Sequence, residues 1–184
     1  MILGRLALGA AGAWGAYAWG AHLVTLASVW RGPATGRRIA HAGHEIGNHG
    51  WSHRSLWLCG PQRTVNEIGR AHELLAELAG RAPRHFRPPW GMVNAAMFGA
   101  LRRCGERCVF WSIQSEGLRP VPAERQVRRV LSRAQPGAIV DLHDAEGTPR
   151  APERLLAALP PMIDGLRQAG YELVTVAELL GDEA

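Results

Sequence analysis

The chain has 184 residues, 47% hydrophobic and 20% charged, enough for one buried core behind a hydrophobic leader. Its 21 cationic side chains are all arginine and give a net charge of +5. They are spread among glutamates on helical patterns, with no basic stripe and no interleaved aromatics, which argues against a nucleic-acid surface.

From Leu6 to Trp30 there is no acidic or basic residue apart from His22, and the run is rich in Ala, Leu, Val and Trp. It is longer than the roughly 20 residues that span a hydrocarbon core. A transmembrane helix or uncleaved signal anchor is expected over residues 1–36, with Trp14, Trp19 and Trp30 suited to the interfaces. A buried helix and a cleaved signal peptide are the alternatives. Arg5 lies before the run and Arg31, Arg37 and Arg38 after it, so charge does not set its orientation.

Next comes Gly43-His44-Glu45-Ile46-Gly47-Asn48-His49-Gly50-Trp51-Ser52-His53. Two histidines four residues apart can reach one cation if the second begins a helical turn. A strand from His44 would carry His49 at its end, Gly47 and Gly50 interrupting any helix there. Glu45 is then expected off the metal. His44 and His49 are one residue too far apart for a two-histidine helical zinc motif.

Beyond the histidines, helical and strand patterns alternate, as in an α/β fold with a parallel sheet. Residues 64–78 place Val65, Ile68, Leu74, Leu75 and Leu78 on one stripe, with Thr64 as cap, Glu67 as its capping-box partner and Gly80 as terminator. Phe86-Arg87-Pro88-Pro89-Trp90-Gly91 is a turn, followed by a helix over 94–103 and a strand over 108–111. Residues 122–133 are helical, 137–142 a strand, 152–170 helical and 173–176 the closing strand. His143 follows the apolar strand Ile139-Val140-Asp141-Leu142, where a barrel of this type keeps its chemistry. Cys59, Cys104 and Cys108 form no metal cluster by spacing and are odd in number, so they read as packing residues, a Cys104–Cys108 bridge being the alternative.

The histidine block, the arginine-proline block and Leu142-His143, in that order over residues 38–180, resemble the polysaccharide deacetylase (NodB-homology) family of carbohydrate esterases. The resemblance implies a distorted (β/α) barrel with His49 and His53 as ligands of a divalent cation, most often Zn2+. His143 would be the catalytic acid, and Arg87 would orient the catalytic base. Leu142 would line the acetyl pocket, with Pro89 and Trp90 as its wall. It also implies an acetylated polysaccharide substrate (peptidoglycan, chitin-like or exopolysaccharide) at the extracytoplasmic face of the cell envelope.

The family's opening Asp-Asp motif, which carries the base and the third ligand, has no counterpart here: no aspartate precedes Asp141. Residues 31–40 read as the lead into that motif, and 41–44 already as the approach to the histidines, so a strand-helix-strand segment is expected to be missing between them. A fourth family motif is also altered: Gln114 stands where an aspartate would tune the acid histidine, and Glu116 is its substitute candidate. The expectation is therefore an incomplete barrel over residues 37–184 tethered by its leader, with weak or absent activity. The alternative is a non-catalytic, membrane-tethered glycan-binding or structural remnant.

Overall fold

The computed structural model describes residues 4–8, 33–143 and 148–182. They fall into two compact units, Met1–Ala21 with Trp111–Ala184, and His22–Phe110.

In the first unit, β1 (Gly4–Leu8), β4 (Ile113–Gln114), β5 (Ile139–Asp141) and β6 (Tyr171–Val174) form a parallel sheet in the order β4-β5-β1-β6. The registers Ala7↔Ile139 and Leu6↔Leu173 place β1 between β5 and β6. This corrects the expected N-terminal transmembrane helix. The segment leading into the apolar run satisfies its backbone groups in a ladder, and among the described residues no helix is long and apolar enough to cross a membrane. The few residues at this end of the run fit a strand as well as a helix, which is why hydropathy misled there. Residues 9–32, the rest of that expected span, lie outside the described residues.

Helix α4 (Ala123–Leu131) joins β4 to β5, and α5 (Ala151–Gln168) joins β5 to β6. α5 buries Leu155, Ala158, Leu159, Met162, Ile163 and Leu166. The i, i+3, i+4, i+7 spacing of these residues is the apolar face that the helix needs. α5 packs on α4 so closely that a Cβ on Gly165 would lie 2.7 Å from Leu131 Cδ1. α6 (Val176–Leu180) closes the unit behind a capping box, Thr175 and Glu178 each satisfying the other's backbone N–H. The expected strand over 173–176 thus ends at Val174, because Thr175 is spent as a helix cap.

The second unit contains α1 (Pro33–His41), α2 (Pro61–Ala79), α3 (Ala95–Cys104) and a parallel pair, β2 (His85–Phe86) with β3 (Arg107–Cys108). Residues 38–40 lie in α1 and open no strand. α2 begins three residues before Thr64, with Gly60 as cap and Pro61 in the first turn. There the missing proline N–H costs nothing. Thr64 donates its hydroxyl hydrogen to Gly60 O. Gly80, at φ 68°, terminates α2 as expected. α3 is capped by Asn94, which accepts from Met97 N. Leu56, Cys59, Ile68, Phe86, Met97, Ala100 and Leu101 form the core of this unit, and Phe86 is fully buried at its centre.

Candidate functional site

No regular strand carries the histidine motif. Residues 44–49 contribute one bridge, Asn48 to Phe86, so the expected strand from His44 is corrected to an irregular segment. Asn48 substitutes for the ladder. Its N–H donates to His85 O (2.8 Å) and its carbonyl accepts from Arg87 N (2.9 Å). Its fully buried amide donates to Ile68 O (3.1 Å) and to both Glu106 oxygens (2.9 and 3.1 Å), while Oδ1 accepts from Gly50 N (2.9 Å). Asn48 therefore joins the histidine segment to β2 through its backbone, and to α2 and the residue before β3 through its side chain.

His49 is buried, and its Nδ1 lies 2.6 Å from Arg87 O. A carbonyl can only accept, so Nδ1 carries the hydrogen and Nε2 keeps the lone pair, the tautomer that second-shell carbonyls impose on metal-binding histidines. The His53 ring lies edge-on to His49 at 4.9 Å between centroids. Two imidazoles on one tetrahedral zinc, at Zn–N about 2.0–2.1 Å, would have centroids about 5 Å apart. The donor set therefore fits a divalent cation.

His53 does not begin a helical turn. It sits at φ 56°, in the left-handed region, and its ring lies 5.4 Å from that of Trp90, itself at φ 62°. Left-handed backbone is costly for non-glycine residues and collects at functional sites. Here it occurs at both members of one ring contact. Trp90 is exposed and Pro89 buried, in the short turn Pro89–Gly91 that follows Arg87.

The loop between the two histidines is held from α2. Glu67 accepts from Ser52 N (2.8 Å) and Ser52 Oγ (2.7 Å). It is thus a buried loop anchor, and not the helix-cap partner that its spacing suggested. The Arg70 guanidinium lies 4.0 Å over the Trp51 ring. Beneath the segment, Glu45 and His85 are paired at 2.5 Å, and Arg107 donates to His85 Nε2 at 3.3 Å. Glu106 accepts from Asn48 and is 2.7 Å from His72 Nδ1. Burial pushes the Glu106 carboxyl up to about 7, against the opposing pull of Asn48, His72 and His85.

The other unit holds the remaining expected residues. Leu142 is buried just past β5, and His143 beside it is 41% exposed at its side chain. His143 lies between two carboxylates, Nε2 at 3.5 Å from Asp141 and Nδ1 at 3.7 Å from Glu116. Burial raises the Glu116 pKa and Asp141 adds to the rise, while His143 and Arg154 oppose it. His49, His53, Arg87, Pro89 and Trp90 are thus grouped in one unit, and Leu142 and His143 in the other. Asp144 lies outside the described residues.

The sequence profile of the polysaccharide deacetylase family matches residues 14–109. The chain belongs to that family. The peptidoglycan-N-acetylglucosamine deacetylase of Bacillus cereus is 32% identical over 154 residues, 83% of this chain and 70% of that protein. The corresponding enzyme of Listeria monocytogenes is 31% identical over 156 residues, 85% of this chain and 32% of that protein. The chain thus spans about a third of the length of that relative. The solved Bc1960 peptidoglycan N-acetylglucosamine deacetylase matches with a TM-score of 0.76 at 30% identity, covering 82% of this chain and 70% of that one. The α/β fold of the deacetylases is therefore shared by this chain.

Proposed function

We propose that this chain is a deacetylase-type hydrolase of acetylated glycans, with activity impaired by the lack of the aspartate pair. The observation that carries the reading is the His49–His53 contact, with His49 Nδ1 committed to the Arg87 carbonyl. His49 and His53 would hold a divalent cation, zinc being the best match to paired imidazoles. When bound, the cation polarises an acetyl carbonyl and activates water. The chain's own residues do the rest. By the family resemblance, Pro89 and Trp90 would wall a sugar, Leu142 would line an acetyl pocket, and His143 would protonate a departing nitrogen. Arg87 would orient a carboxylate base, but no aspartate occurs before Asp141 to be that base. A general base contributes about 10²–10⁴-fold, so turnover is expected to fall by that order.

The substrate class follows from the relatives, which are named for peptidoglycan N-acetylglucosamine and, in Bradyrhizobium, for chitooligosaccharides. A glycan of that kind would be met at the extracytoplasmic face of the cell envelope, which is the location we propose. The missing aspartates favour a second reading, a glycan-binding protein without catalysis. Acetate release from an acetylated chitooligomer with added zinc or cobalt separates the two. Slow, metal-dependent release that disappears in His49→Ala supports the hydrolase, and equal signals from the two proteins remove it.

A further inference from the structure

A second group of metal-type donors lies in the unit His22–Phe110, apart from the paired imidazoles. His72 comes from the middle of α2, Cys104 from the last residue of α3, and Glu106 from the residue before β3. One donor atom from each lies within 4.8 Å of the other two. We propose that His72, Cys104 and Glu106 form a second cation site, selective for a soft divalent ion such as zinc.

The chemistry of the three side chains supports this. One thiolate, one imidazole and one carboxylate carry a charge of −2 and cancel that of a divalent ion, and a thiolate in the set excludes magnesium and calcium in favour of zinc. The Glu106 side chain has no exposure, so its ionised form is costly there without a compensating charge, which a cation would supply. Glu106 is held in place by the Asn48 amide, the kind of outer partner that orients a ligating carboxylate. His72 and Cys104 are only partly buried, which leaves a path for the ion and a fourth position for solvent.

His72 Nδ1 and Glu106 Oε1, 2.7 Å apart, share one proton, and a cation entering between them would send it to solvent or, through solvent, to His72 Nε2. On binding, the Cys104 thiol gives its proton to solvent as the sulfur–metal bond forms. His72 keeps a single ring proton, on the nitrogen turned away from the ion. Glu73 and Glu106 place negative charge near Cys104, favouring a cation, while Arg103 opposes it. A bound ion would tie α2, α3 and Asn48 into one unit, and so brace the segment that bears His49.

Cobalt titration tests the site independently of any deacetylase activity. The full chain is expected to develop a near-ultraviolet sulfur-to-cobalt charge-transfer band at one equivalent. The band should persist in Cys108→Ser and in His49→Ala, and be lost in Cys104→Ser. Absence of the band from the parent chain, or its survival in Cys104→Ser, overturns the proposal. A measurement that needs no variant is alkylation of the parent chain followed by peptide mass analysis. Zinc should abolish modification of Cys104, and continued modification at saturating zinc overturns the site.

Discussion

The two histidine regions of this chain are held in place by opposite means. In the unit His22–Phe110, His49 sits on a segment with one strand bridge, and its position comes from side-chain hydrogen bonds converging on Asn48. In the other unit, His143 follows β5, whose place is fixed by backbone ladders to β4 and β1. Its ring is half exposed, and its carboxylate neighbours stand at 3.5 and 3.7 Å, beyond the roughly 2.7–2.9 Å of a charge-assisted hydrogen bond. A ladder tolerates side-chain change because the backbone carries it. A buried polar knot does not, because each lost atom leaves a partner unsatisfied.

The largest expected effect follows from that difference. Asn48→Ala removes the amide bonds to Glu106, Ile68 and Gly50 together and leaves a buried carboxylate with fewer donors. Breaking a buried charged network in this way costs about 3–5 kcal/mol. Ile113→Val, equally buried but in the ladder of the other unit, should cost about 0.5–1.5 kcal/mol. Urea unfolding of both variants measures the contrast, and equal losses would mean that the knot is no more sensitive than the sheet.

Next in size is the pH response of the knot. The Glu106 carboxyl is pushed from 4.5 to about 7, so between those values the folded chain holds a proton that the unfolded chain has released. Stability from this group is therefore full below about pH 4.5 and is lost as pH rises through 7. The loss is at most on the order of 3 kcal/mol. Glu106→Gln keeps an acceptor for Asn48 and removes the titration. Its urea midpoint should fall less between pH 5 and pH 8 than that of the parent chain, and parallel curves would place the Glu106 pKa in the ordinary range. The measurement is made with a chelator present, so that no cation competes for the carboxylate.

What could be read from the sequence divides along the same line. The stripe Val65-Ile68-Leu75 located α2, the run at 94–103 located α3, and the largely apolar run Ile139-Val140-Asp141-Leu142 located β5, because burial of one face imposes a local period. The start of α2 was legible too: Pro61 in the first turn was a better signal than Thr64 as a cap. Hydropathy could not distinguish the start of the leader from a core strand, and β1 was missed. The contacts around Asn48 have no local signature at all, since Asn48 and Glu106 are 58 residues apart. The motif residues His49, His53 and Arg87 were legible as a family pattern, while Glu67, His72, His85 and Glu106, which surround them, follow no spacing rule. His72, Cys104 and Glu106 come from three separate stretches of the chain, so spacing led Cys104 to be read as a packing residue or a partner of Cys108, and not as a ligand.

A smaller effect tests whether the anchoring reaches the loop between the histidines. Glu67→Gln retains one acceptor for Ser52 and loses the second, charged one, at a cost of about 1–2 kcal/mol. The change is expected to appear first as faster amide exchange at residues 51–53, where Glu67 is the tether, before it appears in global unfolding. Exchange unchanged in that loop would assign its geometry to the Arg70–Trp51 contact instead.

The smallest change is expected at Glu116, in the ladder-supported unit. Its pKa is raised, first by burial, so the folded chain resists its ionisation, and the cost grows as pH rises above the ordinary carboxylate range. Glu116→Gln removes that cost, so the variant should gain stability over the parent chain toward neutral pH and show no gain in acid. The gain should stay below about 1 kcal/mol, because the half-exposed His143 beside it is screened by solvent and offsets part of the burial cost. Urea midpoints at pH 4 and pH 7 give the sign. A variant less stable than the parent chain at pH 7 would make the 3.7 Å contact a stabilising ion pair, and His143 would then be as firmly held as His49 in the other unit.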